Sequence, residues 1–291
     1  MIFLPSAVYV KVSNWFLTNV SSNEALLAVF IMWLNTEVTY ATIVAFFYAV
    51  EKSAKFNMYK IHSQPSNERM MRDAILFKPV AWMVDIPIYF LSFQMMGWRG
   101  RLFVLYKNFW SNDSSTKNNF STMSTTMSSS GPPSPLDPLP DSLTFLKHVL
   151  ILTATYDLLF YLWHRALHTK SLWKYHKKHH EVKVSFTCAN DHESVLEVAG
   201  NIFWKMIPPV LIGCHVYTVC VYRAVVKFFA LLHHSGFELP IFQPLQCIPG
   251  IASPSYHDFH HFYGHGNYGG VLTVWDRIFG THKEVKPMKS S

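Results

Sequence analysis

Histidine is the residue type whose spacing in this chain can do chemistry. The stretch WHRALHTKSLWKYHKKHH (163–180) carries His164, His168, His176, His179 and His180, and YHDFHH (256–261) carries His257, His260 and His261. Residues three and four apart share a helical face, so His164 aligns with His168 and His176 with His180. Adjacent His179 and His180 splay by about 100° on a 3.6-residue turn. A doubled histidine can therefore serve two metal ions while a partner three or four residues back completes one of them. Imidazole suits iron, zinc, copper and nickel. A solvated basic face would account for the first stretch, where Lys174, Lys177 and Lys178 interleave, but not for the return of the His-x2-His-His spacing far downstream without lysines.

The segments that must position these clusters are apolar. The 291-residue chain is 50% hydrophobic and only 15% charged, below the roughly 25% charge of soluble domains. Residues 24–50 exceed the ~20 apolar residues of a bilayer span, and Glu37 in their middle must face other helices. Residues 74–96 form a second candidate span in which Lys78, Pro79, Asp85 and Pro87 predict a kinked helix packed inside a bundle. Residues 111–140 are Ser/Thr/Asn-rich and then Pro-rich, which predicts a flexible loop. Asp141 or Ser142 caps a third apolar helix that runs directly into His164, placing the first cluster at the membrane surface. Residues 193–234, broken by Pro208 and Pro209, read as a helical hairpin of roughly 194–211 and 215–233, and the chain from Ser235 onward is turn-rich and soluble.

Charge orients this arrangement. The histidine-bearing segments together with residues 51–73 hold fifteen lysines and arginines, against five in 1–23 and 97–140. The positive-inside rule then puts the histidines on the cytoplasmic side, with N-x-S sequons at Asn19, Asn112 and Asn119 on the lumenal side. A net charge of +7 gathered beside the histidines suits a membrane surface or an acidic protein and, without stacking motifs, excludes nucleic acid. No basic region precedes the first apolar stretch, so no cleavable signal peptide is expected. Cys188, Cys214, Cys220 and Cys247 lack any C-x-x-C spacing and read as small buried hydrophobes.

The stretches YLWHRALHTK, WKYHKKHHE, LLHHSGFELP, YHDFHHFYGHGNYGG and VWDRIFGTHKE resemble the fatty acid hydroxylase superfamily, also called the sterol desaturase family, over about residues 156–284. HSGFELP and GNYGGVLTVWDRIFGT look most like its carbon-4 methylsterol monooxygenase branch, and IGCHVYT is similar to sterol 25-hydroxylases. Fatty-acid and ether-lipid members are close, and the Ser/Thr-rich loop is outside the pattern. The resemblance implies an all-α, polytopic endoplasmic-reticulum enzyme. It would have about four transmembrane helices and a cytosolic histidine-rich helical cap holding two non-haem irons. It further implies a catalytic domain over 141–291, preceded by membrane helices and a lumenal loop over 1–140, and electrons from NAD(P)H through cytochrome b5 or a similar carrier. Lys174, Lys177, Lys178 and Lys183 are candidates for the carrier's docking face.

On this resemblance ten ligands are expected: the eight clustered histidines plus His192, at the entrance to the hairpin, and His234, at its end, with neighbouring His233 as a competitor for the last position. Asp258 and Asp276 lead the candidates for orienting imidazoles, ahead of Asp157, Asp191 and Glu193. His62, His148, His215, His265 and His282 are read as surface or structural. Breaking an unactivated C–H bond of a lipid is beyond side-chain acids and bases and calls for O2 activated by a redox metal. Hydroxylation, desaturation or stepwise oxidation of a sterol methyl are the outcomes. Zinc can occupy such sites but has no redox chemistry, and no H-E-x-x-H general base accompanies the clusters. A membrane protein that stores or senses metal is the alternative of another class.

Overall fold

The computed structural model describes residues 5–110 and 134–285. Regular structure among them is helical, with isolated bridges at Lys60–Phe237 and Ile251–Leu272. The principal helices are α1 (Ser6–Asn19), α2 (Glu24–Lys52), α3 (Glu68–Leu76), α4 (Lys78–Trp110), α5 (Ser142–Leu167), α6 (Val195–Ile212), α7 (Val216–His233) and α8 (Pro254–Tyr263). Residues 111–133 of the expected flexible loop, including Asn112 and Asn119, lie outside the described residues, whereas Asn19 is exposed at the end of α1.

Among the described residues five helical segments are long and apolar enough to cross a membrane: Glu24–Lys52, Glu68–Gly97 (α3 with the start of α4), Ser142–Leu167, Val195–Ile212 and Val216–His233. The expected hairpin supplies two of them. Its break, however, is not at the prolines. α6 runs through Pro208 and Pro209 and stops at Gly213, which takes a left-handed φ of 69° that glycine adopts without steric cost. Pro209 has no N–H to offer the carbonyl of Lys205, four residues back. The Tyr222 hydroxyl donates to that carbonyl instead, at 2.9 Å, so the turn of helix survives. Asp141 caps α5 as expected, accepting from the backbone of Leu143 and Thr144 at 3.0 Å each.

α7 is the central element: fifteen of its eighteen residues are buried. Around it, Leu27 and Ile31 of α2, Tyr89 and Phe93 of α4, Leu152 and Tyr156 of α5 and Ile202 and Met206 of α6 form one core. α4 and α5 turn Met83, Leu91, Leu146, Leu150 and Ile151 outward, an apolar exterior suited to lipid. A second core, with Phe47, Phe186, Leu231 and Phe237, seats the histidine-bearing cap on the ends of α2 and α7. Several charged groups within the bundle are paired as lipid demands. Glu37 accepts from Lys78 Nζ at 2.9 Å and Trp82 Nε1 at 3.0 Å, and Lys227 pairs with Asp191 at 2.8 Å.

Tyr222→Phe leaves the Lys205 carbonyl without its donor. Unfolding in detergent is expected to show a loss of about 1–3 kcal/mol, the cost of an unsatisfied buried polar group. Unchanged stability would mean that the carbonyl finds another donor.

Candidate metal centre

His164 sits on the last turn of α5 and His168 is its C-cap. A single helical turn, Trp173–His176, presents His176, and the following 3-10 turn, His179–Glu181, splays His179 and His180. His234 is the C-cap of α7, and α8 carries His257, His260 and His261. The nine side chains converge in two groups: His164, His168, His176, His180 and His260, and His179, His234, His257 and His261. Within each group the ligand atoms lie within 4.8 Å of one another, and all but His168 are buried.

The hydrogen-bond accounting fits a cation in each group. His234 donates from Nδ1 to the Ala230 carbonyl at 2.7 Å, and His261 from Nδ1 to the Val182 carbonyl at 3.2 Å. Burial lowers the His234 pKa to about 3 and holds His261 well below the usual histidine range, so both rings are neutral. A neutral imidazole has one N–H, so each Nε2 carries only a lone pair. Yet these two Nε2 atoms are 3.1 Å apart, with no hydrogen to share. Two lone pairs held at that distance suit two ligands of one metal ion. His260 repeats the pattern: its Nδ1 donates to the Gly266 carbonyl at 2.8 Å, and its Nε2 faces those of His180 at 3.1 Å and His168 at 3.2 Å. Burial likewise brings His180 to about 3 and His168 to about 2.

The groups that fix these tautomers are mostly not the ones the sequence singled out. Glu197 Oε1 accepts from His176 Nδ1 at 2.6 Å. Only its place in the first turn of α6, as a lone carboxylate among apolar residues, could have signalled it. Asp276 acts through backbone: it accepts from the amides of Tyr268 and Gly269 at 2.8 and 2.7 Å, and the Tyr268 carbonyl accepts from His164 Nδ1 at 2.9 Å. Asp157 holds the same loop through the amides of Val271 and Leu272. Asn267, at a left-handed φ of 54°, shapes the turn that aims the Gly266 carbonyl, accepting from Lys283 N at 2.7 Å. Asp258 touches none of the nine imidazoles in hydrogen-bond contact. It accepts from Ser185 at 2.7 Å and pairs with His62 at 2.8 Å, which ties the α2–α3 loop to α8 and gives His62 a role beyond a surface residue.

His233 and His192 stand apart from both groups. His233 Nε2 donates to the Ala252 carbonyl at 3.0 Å. His192 turns Nε2 toward Glu181 at 3.3 Å, and its buried Nδ1 has no hydrogen-bond partner. Asp191 lies against Lys227 and Lys78, and Glu193 accepts from Asn201. Lys174, Lys177 and Lys183 are exposed beside the first cluster, and the Nζ atoms of Lys178 and Lys183 donate to the carbonyls of Glu193 and His261.

Two cavities adjoin the centre. One of about 40 Å³ touches both groups through His164, His176, His179, His234 and His257. Another of about 100 Å³ runs from His233, His234, His257 and Gly270 into the helix bundle.

The fatty acid hydroxylase family profile matches residues 149–281. Over this segment the chain is similar to the fatty acid hydroxylase superfamily. Human cholesterol 25-hydroxylase is 33% identical over 149 residues, covering 49% of this chain and 53% of that protein. Rat methylsterol monooxygenase 1 is 38% identical over 136 residues, covering 44% and 45%, and the rice very-long-chain aldehyde decarbonylase GL1-11 is 31% identical over 157 residues, covering 53% and 59%. The chain thus spans about half the length of the curated relatives it matches. No solved structure matches it. The matched segment contains all nine converging histidines, from His164 to His261.

Two metal ions per chain are the expected content after loading, read by elemental mass spectrometry. His234→Ala or His261→Ala should lower it to one, and His192→Ala should keep two; one ion lost from the His192 variant would make that residue a tenth ligand. Acid should destabilise the metal-free protein. His168, His180 and His234 keep folded-state pKa values far below 6.5, so below about pH 6.5 the unfolded chain binds protons that the folded one refuses. Thermal stability should be level above pH 7 and fall as pH drops toward 4. A curve flat through that range would show that these imidazoles protonate in the folded state at little cost.

Proposed function

We propose that the protein is a membrane-bound, iron-dependent oxygenase that oxidises a C–H bond of a lipid. The observation that carries this reading is the convergence of nine neutral imidazoles into two adjoining groups at the end of a cavity that enters the helix bundle. The first group would hold one iron and the second group the other, and bound iron would supply the O2 activation that an unactivated C–H bond requires. In the overall reaction one oxygen atom of O2 enters the lipid and the other leaves as water, with two electrons from the carrier and two protons. The chain's own contribution is positional. Glu197 and the carbonyls of Ala230, Val182, Gly266 and Tyr268 keep each bonded Nδ1 protonated and its Nε2 free to ligate. Phe160 and Leu167 help close the small cavity that touches both groups. Its volume is near that of one water molecule, about 30 Å³, enough for a diatomic gas.

On this reading residues 141–291 form the catalytic domain and 1–140 the preceding membrane helices and lumenal loop, the protein resides in the endoplasmic-reticulum membrane, and the cap faces the cytosol. NAD(P)H-derived electrons arrive through cytochrome b5 or a similar acidic carrier docking near exposed Lys174 and Lys177. A sterol is the favoured substrate. The HSGFELP and GNYGGVLTVWDRIFGT motifs and the methylsterol monooxygenase relative support oxidation of a carbon-4 methyl. The human relative and the polar interior of the cavity support a second position, on the tail of a hydroxylated lipid.

Iron-loaded protein in lipid nanodiscs, given NADH, the carrier with its reductase, 18O2 and a sterol panel, should yield products with one labelled oxygen. Glu197→Ala should cut turnover at least tenfold while leaving the chain folded. No labelled product from any sterol or long-chain lipid with both metals bound would leave a metal-storing membrane protein as the better reading.

A further inference from the structure

The larger cavity contains charged groups that neither the metal groups nor the bundle's ion pairs use. Arg223 on α7 is 2% exposed and Asp85 on α4 is 8% exposed, and both line its wall. Arg223 donates through Nη2 to Thr36 at 2.9 Å and to the Tyr89 hydroxyl, and through Nη1 to Met206 Sδ. Its Nε has no partner. Asp85 accepts from Tyr89 with Oδ2 at 3.4 Å, and its Oδ1 has no partner. Lys205 on α6 lines the same wall, and its Nζ makes no hydrogen bond or ion pair among the described residues; it lies 5.7 Å from the centre of the Tyr156 ring. Ionisable side chains inside membrane-spanning helices are expensive and mark function. Here two donors and one acceptor are left over together.

The depth of this group follows from helix geometry. Arg223 precedes His234 by eleven residues along α7, a rise of about 16 Å. Lys205 follows Glu197, the partner of His176, by eight residues on α6, a rise of about 12 Å. Both helices thus set the unpaired groups two to three turns from the metal layer.

We propose that Asp85, Lys205 and Arg223 form a binding site for a neutral hydroxyl group of a lipid, which fixes the lipid so that oxidation falls on a carbon remote from that hydroxyl. A hydroxyl both donates and accepts, so it satisfies Asp85 Oδ1 and the Arg223 and Lys205 donors at once. An anion would satisfy only the donors and would face the Asp85 carboxylate. Formal charge in the wall gives an anion no advantage: Lys78, Lys205, Arg223 and Lys227 are balanced by Asp85, Asp191, Glu193 and the Glu37 that pairs with Lys78. The register depends on the oxygenase reading; the hydroxyl site itself does not.

The test measures binding and product position separately. Metal-loaded protein in nanodiscs is titrated with cholesterol and hexadecanol and with their hydrocarbon counterparts, cholest-5-ene and hexadecane. At least one alcohol should bind at least about tenfold tighter than its hydrocarbon, the scale of a hydrogen bond to a charged group. Asp85→Asn and Lys205→Met should each erase most of that preference, and Arg223→Met serves as a third variant if one of these fails to fold. Equal binding of alcohol and hydrocarbon, no binding of either alcohol, or a preference unmoved in every folded variant overturns the proposal. In turnover, oxygen should enter the sterol side chain. Oxygen on the ring next to the hydroxyl overturns the register while leaving the oxygenase reading intact, whereas selective binding without any oxidation removes the oxygenase reading and leaves the hydroxyl site standing.

Discussion

Nine imidazoles pointing ring nitrogens at two small volumes is a costly arrangement. Each ring must be neutral, each must have its proton on the outer nitrogen, and neighbouring lone pairs repel until cations lie between them. Burial secures neutrality, because a charged imidazolium is disfavoured away from water. The tautomer has to be imposed ring by ring, and much of the cap's backbone does that work. The carbonyls of Ala230, Val182, Gly266 and Tyr268 each accept from one Nδ1, and Glu197 accepts from another. The 264–272 loop takes its shape for this purpose, with left-handed φ values at Gly264, Gly266 and Asn267 and with Asp276 and Asp157 gripping four of its amides.

The same accounting extends into the bundle. α7 carries His234 at its end and, descending from it, Lys227 and Arg223, so one buried helix links the metal layer to the charges deep among the other helices. Asp191, which follows the first histidine cluster in the chain, meets Lys227 and Lys78 and thereby joins the cap to α7 and α4. Charges normally excluded from apolar helices are held here by partners on neighbouring ones, which is why Lys78 and Glu37 coexist with spans of membrane length.

Much of this was legible in the residues. Apolar length announced the long helices, and an unpaired Glu37 in the middle of one required a partner on another. Asp141 stood where a helix cap belongs. The histidine spacings named eight of the converging side chains, and the family motifs added His234. Proline marked the hairpin only approximately, because a single hydroxyl from Tyr222 was enough to carry α6 on to Gly213.

The sequence by itself determined that histidines would gather at one end of an apolar helical bundle, since periodicity, apolar length and helix punctuation are local properties of the chain. Only the tertiary structure decided which histidines share a group, that His234 rather than His233 turns inward, that His192 stands outside both groups, and that Glu197 rather than Asp258 supports a ring. Those choices depend on helix rotation and on the path of loops far apart in sequence. Adjacent helical residues differ by about 100° in direction, and no short-range pattern states which of the two faces a centre built from α5, α7, α8 and the turns between them.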